Sequence, residues 1–116
     1  MGAPVKAQIG IEAVAEVDIR VGTIVEVGDV AGSGKLVRLE VDFGDFRRTI
    51  LAGMKKERDD PREVEGRQAL FVVNLAPRTM AGVVSEGMLF DIGYEDGIVP
   101  VLAVPEKPVP NGVRAG

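Results

Sequence analysis

The sequence contains no cysteine, histidine or tryptophan, and only 4% of its residues are aromatic. Without cysteine there is no disulfide framework, so the fold must hold by packing alone. Lacking both cysteine and histidine, the chain has neither the usual general base nor an activated thiol, and almost no zinc geometry is open to it. Enzymatic readings lose most of their material, and the expectation is a protein without catalysis and without a cofactor. No run approaches the roughly 18 uninterrupted apolar residues of a membrane span, and the N-terminus lacks the apolar centre of a signal peptide. The expected location is the cytoplasm, with no membrane partner. Gly2 opens a myristoylation-like start, but Lys6 stands where that motif needs Ser or Thr.

What the chain does have is aliphatic side chains. Hydrophobic residues make up 46% of it, so the core should be built from Val, Ile and Leu, which favour strands. A length of 116 residues fits one domain spanning 1–116, a module of its own with one core and no room for an appended catalytic domain. The formal net charge of -4 counts against general nucleic-acid binding, which needs a basic footprint to release counterions from phosphates. Charge distribution matters more than its sum, however, and Lys35, Arg38, Arg47, Arg48, Lys55 and Lys56 gather around the expected second and third strands. The segment after Arg78 is acidic. Asp59, Asp60, Glu63 and Glu65 offer oxygen ligands for a hard cation, but they lack the spacing of a calcium loop. Interleaved with Lys55, Lys56, Arg58 and Arg62, they read as a self-neutralising, solvated face.

Periodicity divides the chain into short strands. Ile9 to Ala15 is expected as a short helix with Ile11, Val14 and Ala15 on one side. Strand one runs from Val17 to Val27, with Ile19, Val21, Thr23, Val25 and Val27 sharing a face and Gly22 marking a bulge or bend. Ala31-Gly32-Ser33-Gly34-Lys35 resembles a phosphate loop only superficially, because Asp29 and Leu36 occupy its flanking positions; it reads as a hairpin connection. Strand two covers Leu36 to Phe43, with Val37, Leu39, Val41 and Phe43 facing the core, and Gly44-Asp45 returns the chain into Arg47–Leu51. Asp60-Pro61-Arg62-Glu63 carries an acidic N-cap, Pro at the first helical position and Glu at the third, and Gly66 stops that helix after little more than a turn. Strands four, five and six are expected over Arg67–Leu75, Met88–Ile92 and Ile98–Val104, with Asp96-Gly97 turning the last pair. Pro105, Pro108 and Pro110 then exclude a central strand and predict an extended arm. A five-stranded barrel with a helix between its third and fourth strands is the OB-fold layout, although a generic small barrel would show similar periodicity.

The most informative stretch is Val73 to Leu89. An apolar strand runs to Pro77, which cannot donate to a ladder, and Arg78 follows at the strand exit. Gly82 and Gly87 bracket Ser85 and Glu86 in a loop whose backbone is free to take unusual dihedrals and to admit a ligand closely. On the residues alone, a surface turn with a solvated Arg is the favoured reading over a binding loop. Together with Asp18-Ile19-Arg20-Val21-Gly22-Thr23-Ile24, Lys35-Leu36, Asp42-Phe43-Gly44-Asp45 and Leu51-Ala52-Gly53-Met54, this stretch resembles the tRNA-binding OB-fold domain family. That family spans stand-alone bacterial tRNA-binding proteins, the C-terminal appendage of methionyl-tRNA synthetases and the export chaperone CsaA. The matching motifs fall in the family's order and cover nearly the whole chain from Ile11.

The resemblance implies an all-β, five-stranded OB-fold barrel with N- and C-terminal extensions, which binds structured tRNA by backbone and shape contacts. Asn74, Arg78, Ser85, Gly87 and Met88 match the family's binding loop, with Arg78 on phosphate and Asn74 and Ser85 hydrogen bonding. Met88 alternatively packs beneath the loop, as Met commonly fills gaps. Arg38, Lys55 and Lys56 are the accompanying basic candidates. Phe43 and Phe71 are core candidates, and Phe46, Phe90 and Tyr94 weaker stacking candidates. Ala52 departs from the family's frequent Ser, and Thr79 from its second basic residue. A CsaA-type chaperone that binds unfolded peptide is the alternative, supported by the Pro108-Val109-Pro110-Asn111-Gly112 ending. A homodimer is expected in either case, and an aminoacyl-tRNA synthetase is the remaining implied partner.

Overall fold

The computed structural model describes residues 2–116. The β-branched run after Asp18 forms the longest element, β1 (Ile19–Asp29). Its second half pairs antiparallel with β2 (Val37–Asp42) and its first half with β4 (Gln68–Val72). From the Gly44 turn the chain returns as β3 (Arg47–Ala52), in register with β2 from Val37↔Ala52 to Asp42↔Arg47. After a hairpin of β5 (Arg78–Met80) and β6 (Val83–Ser85), β7 (Met88–Leu89) joins β4, giving the order β3-β2-β1-β4-β7. The barrel closes where the loop before β7 lies against β3, with the Glu86 amide donating to Thr49 O at 2.8 Å. This is the expected nearly closed five-stranded OB-fold barrel.

The core is aliphatic, as composition required. Ile24, Leu39, Val41, Ile50 and Met54 are buried around Phe43 and Phe71, whose rings meet edge to face with centroids 5.4 Å apart. Val37, Leu39, Val41 and Phe43 all point inward, as strand two's alternation predicts. Strand one's expected face fails at Val25 but holds at Val27, which is buried in the core. Register shifts between Ile24 and Glu26, so Ile24 is buried while Val25 is 42% exposed. The bulge lies at Val25, and Gly22 serves a different purpose: a Cβ there would sit 2.6 Å from Val41 Cγ1 and 2.8 Å from Phe43 Cε1. It leaves room for those two side chains.

Between β3 and β4 the expected helix is two 3-10 turns, Met54–Lys56 and Pro61–Val64. The predicted cap is present, since Asp60 accepts the Arg62 amide at 3.0 Å, and Gly66 terminates the turn at φ 84°. Strand five breaks at Phe90, so β8 (Asp91–Ile92) pairs instead with β9 (Val101–Leu102), all that forms of the expected last strand. The proline arm ends in β10 (Arg114–Ala115), which takes the edge of β1 that β2 leaves free. Gln68 and Thr23 hold the arm through Asn111 Oδ1 at 3.0 and 2.8 Å. At the N-terminus, α1 (Ile11–Ala15) buries no residue; Ile11 is 80% and Val14 48% exposed. No helix among the described residues is long and apolar enough to cross a membrane.

Candidate nucleic-acid interface

Period-two alternation puts Glu26, Arg38, Glu40, Asp42, Arg47 and Thr49 on the outer face of β1, β2 and β3. These groups largely neutralise one another. Arg38 contacts Glu26 at 3.2 Å and Glu40 at 3.1 Å, and Arg47 approaches Asp42 at 3.9 Å. Thr49 Oγ1 donates to the Glu40 carboxylate at 2.9 Å. Arg38, a basic candidate from sequence, is therefore held between two carboxylates of its own sheet.

The binding-loop residues separate by role at the far end of the barrel. Ser85 is 4% exposed; its Oγ accepts the Leu51 amide at 3.0 Å and donates to Gly87 O at 3.3 Å. It closes the barrel and presents no free hydroxyl. A Cβ on Gly87 would meet Val72 O at 2.7 Å, so the close approach this glycine allows is to the protein's own backbone. Asn74 is occupied too: its Nδ2 donates to Glu16 O at 2.7 Å and its Oδ1 accepts the Asp18 amide at 2.9 Å, tying the end of α1 to the barrel. Met88 is 43% exposed, which overturns its packing role beneath the loop. Arg78 is exposed at the base of the β5–β6 hairpin, opposite Ser85, and forms no ion pair among the described residues.

Arg48 was missing from the candidates. Two positions before buried Ile50 it shares the inward face of β3, so it emerges at the barrel mouth rather than on the outer sheet. Its Nη1 donates to Val73 O and to Glu86 O, both at 3.1 Å. Its guanidinium lies 4.8 Å from the Phe46 ring centroid, and that of Arg20 lies 5.7 Å from it. The i−2 relation to Ile50 was the signal in the sequence. Phe46 also stacks on Phe43 at 5.2 Å, so its ring is taken up by protein. Arg20 in turn pairs with Asp18 at 2.9 Å, which holds the Asp18 carboxyl below its ordinary range.

Lys55 and Lys56, adjacent in sequence, divide. Lys55 Nζ donates to Ser33 O at 2.5 Å and pairs with Asp29 at the same distance, pinning the β1–β2 loop and lowering the Asp29 pKa. Lys56 is exposed and forms no ion pair among the described residues. The acidic 59–65 segment is internally engaged: Asp60 caps its turn, Glu65 accepts the Val27 amide at 2.9 Å, and Glu63 pairs with Arg58 at 3.4 Å. Among the described residues no group of three acidic side chains is placed to hold a metal.

Three comparisons bear on this arrangement. Residues 19–114 match the family described as "Putative tRNA binding domain". The chain is 38% identical over 112 residues to a methionine–tRNA ligase of Nitrosomonas europaea, covering 97% of this chain and 16% of that protein's length. Its fold superposes with a TM-score of 0.87 on a MetRS-related protein from Pyrococcus horikoshii, at 33% identity over 96% of this chain and all of that one. It superposes at 0.82 on the chaperone CsaA of Bacillus anthracis, at 30% identity over 95% of this chain and all of that one. With a family match over most of its length, relatives of this identity and the barrel described above, the chain belongs to the tRNA-binding domain family.

Proposed function

We propose that this protein binds structured tRNA without catalysis, through the β5–β6 hairpin and the adjoining barrel mouth. The observation that carries the reading is Arg78: an exposed guanidinium with no ion-pair partner among the described residues, next to a mouth whose other cations are fixed. Arg48 sets the loop spacing, and Ser85, Gly87 and Asn74 hold the platform from which Arg78 reaches phosphate. With the outer sheet face self-neutralised, recognition rests on a few phosphate contacts and on shape, so affinity should be salt-sensitive and little dependent on sequence. Arg78→Glu should leave the melt within about 0.5 kcal/mol of wild type, as exposed changes usually do. The same variant should weaken tRNA binding and flatten the salt slope by about one counterion. Unchanged tRNA affinity with an unchanged melt would remove Arg78 from the site.

A second reading, binding of unfolded peptide, is favoured by Val84 and Met88, which are 48% and 43% exposed on the same loop system. The likeness to CsaA supports it at the level of the fold. In both readings the protein acts as a homodimer. Ile11, Val14, Val17 and Val113 line an open groove of about 850 Å³ between α1 and β10, an apolar face suited to a second copy. A synthetase is the further partner of the tRNA reading, by likeness to the ligase in which a related segment is part of a longer chain.

A further inference from the structure

We propose that the cleft between Lys35, Gly53 and Lys56 on one side and the Tyr94 turn on the other is a second RNA contact, which takes an unpaired nucleotide. Its base would stack on Tyr94, and its flanking phosphates would meet the two lysines. The proposal rests on the tRNA-binding reading and extends it to a single-stranded segment.

Among the described residues Tyr94 is the one exposed aromatic ring, at 60%, Phe90 being half-buried. Phe43, Phe46 and Phe71 are occupied with one another or with arginine. Base stacking needs an open π-face, and only Tyr94 presents one with this exposure. Its turn is fixed at both ends by left-handed glycines, Gly93 at φ 109° and Gly97 at φ 71°. The facing wall is also preorganised. A Cβ on Gly53 would lie 2.8 Å from Lys35 Cε, so the missing side chain lets the Lys35 stem lie along the cleft. The Lys55 amide donates to Lys35 O at 3.1 Å, which ties Lys35 to the turn carrying Lys56. Neither Lys35 nor Lys56 forms an ion pair among the described residues.

The cleft measures about 450 Å³, within the range of about 300–1,000 Å³ typical of small-ligand sites. Glu57 also lines it, but that carboxylate contacts Arg58 at 3.3 Å. Glu95 and Asp96 share the Tyr94 turn and weaken the field of the lysines, so the cleft should add to binding made elsewhere. Gly53 lies two residues beyond Leu51, whose amide Ser85 Oγ accepts, and Arg78 pairs with Ser85 across the hairpin, so the cleft adjoins the end of β3 that the β5–β6 hairpin packs against. The cleft therefore extends the Arg78 contact to an adjoining unpaired nucleotide of the same RNA.

The test titrates wild type, Tyr94→Ala, Tyr94→Phe and Lys35→Gln/Lys56→Gln with total tRNA and with octauridylate, under matched salt and with thermal melts. Tyr94→Ala should lose about fivefold or more in octauridylate affinity with an unchanged melt, while Tyr94→Phe retains it. The double lysine variant should flatten the octauridylate salt slope by about 1.4, two contacts at roughly 0.7 each. If Tyr94→Ala binds both RNAs like wild type while Arg78→Glu weakens tRNA binding, the cleft proposal fails and the tRNA reading stands. If wild type binds no RNA, both fail. Loss of unfolded-peptide binding in Tyr94→Ala, with octauridylate binding unaffected, would assign the cleft to peptide and overturn the proposal.

Discussion

Ser85 Oγ occupies the seam where β3 meets the loop before β7, accepting the Leu51 amide at 3.0 Å. That amide points away from β2, so the hydroxyl is its partner. Ser85→Ala would leave a buried donor unpaired and should cost about 1–3 kcal/mol in urea unfolding. Wild-type stability in that variant would return Ser85 to the list of free ligand groups. Asn74 and Lys55 teach the same lesson: both carry the right chemistry for RNA, and both use it within the protein. Residue type is legible in a sequence, whereas the partner of a polar group depends on contacts such as Asn74 to Glu16, 58 positions apart. Arg78 was legible as exposed, but not as a strand exit: the expected strand to Leu75 stops at Val72, and Arg78 instead opens β5. Arg48 escaped because its neighbours in sequence suggested an outer basic face, while its phase relative to Ile50 turned it inward.

At the scale of elements, strong alternation made β2 readable residue by residue, and the paired turn Gly44-Asp45 made its return readable too. β1 was harder because a single extra residue at Val25 reverses the phase of everything beyond it. The β5–β6 hairpin was missed because its turn is Ala81-Gly82, with Ala81 at φ 50° and Gly82 at φ 79°. Alanine is an unusual residue for a left-handed position, so no turn signal stood out. Gly22 was legible as a special position but not for its reason. Gly22→Ala would drive a methyl against Val41 and Phe43, and overpacking of this kind should destabilise the barrel by about 1–3 kcal/mol. A urea midpoint equal to wild type would mean that the β1–β2 packing yields without strain.

For the whole molecule, acid should loosen the N-terminal end and the β1–β2 loop first. Asp18 is depressed by its hydrogen bond to Arg20, and Asp29 by its hydrogen bond to Lys55. A carboxyl lowered in the folded state gives stability that is complete above its unfolded value, near pH 4, and lost as pH falls through the folded value. Melts should therefore drop below about pH 4, and Arg20→Gln should reduce that drop. An equal acid limb in wild type and Arg20→Gln would exclude the Asp18 pair as a contributor. Assembly is the larger-scale expectation. α1 buries nothing against its own barrel, yet Asn74 anchors its end, so Ile11 and Val14 are held in place beside exposed Val113. Anchoring an apolar helix without covering it makes sense if a second copy completes the face, because an isolated chain would gain nothing from ordering it. Light scattering at tens of micromolar should give twice the chain mass. Val14→Asp with Val113→Asp should give the single mass and an intact barrel, since neither side chain belongs to the core. Wild type at the single mass would refute the dimer, and tRNA binding would then have to come from one barrel alone.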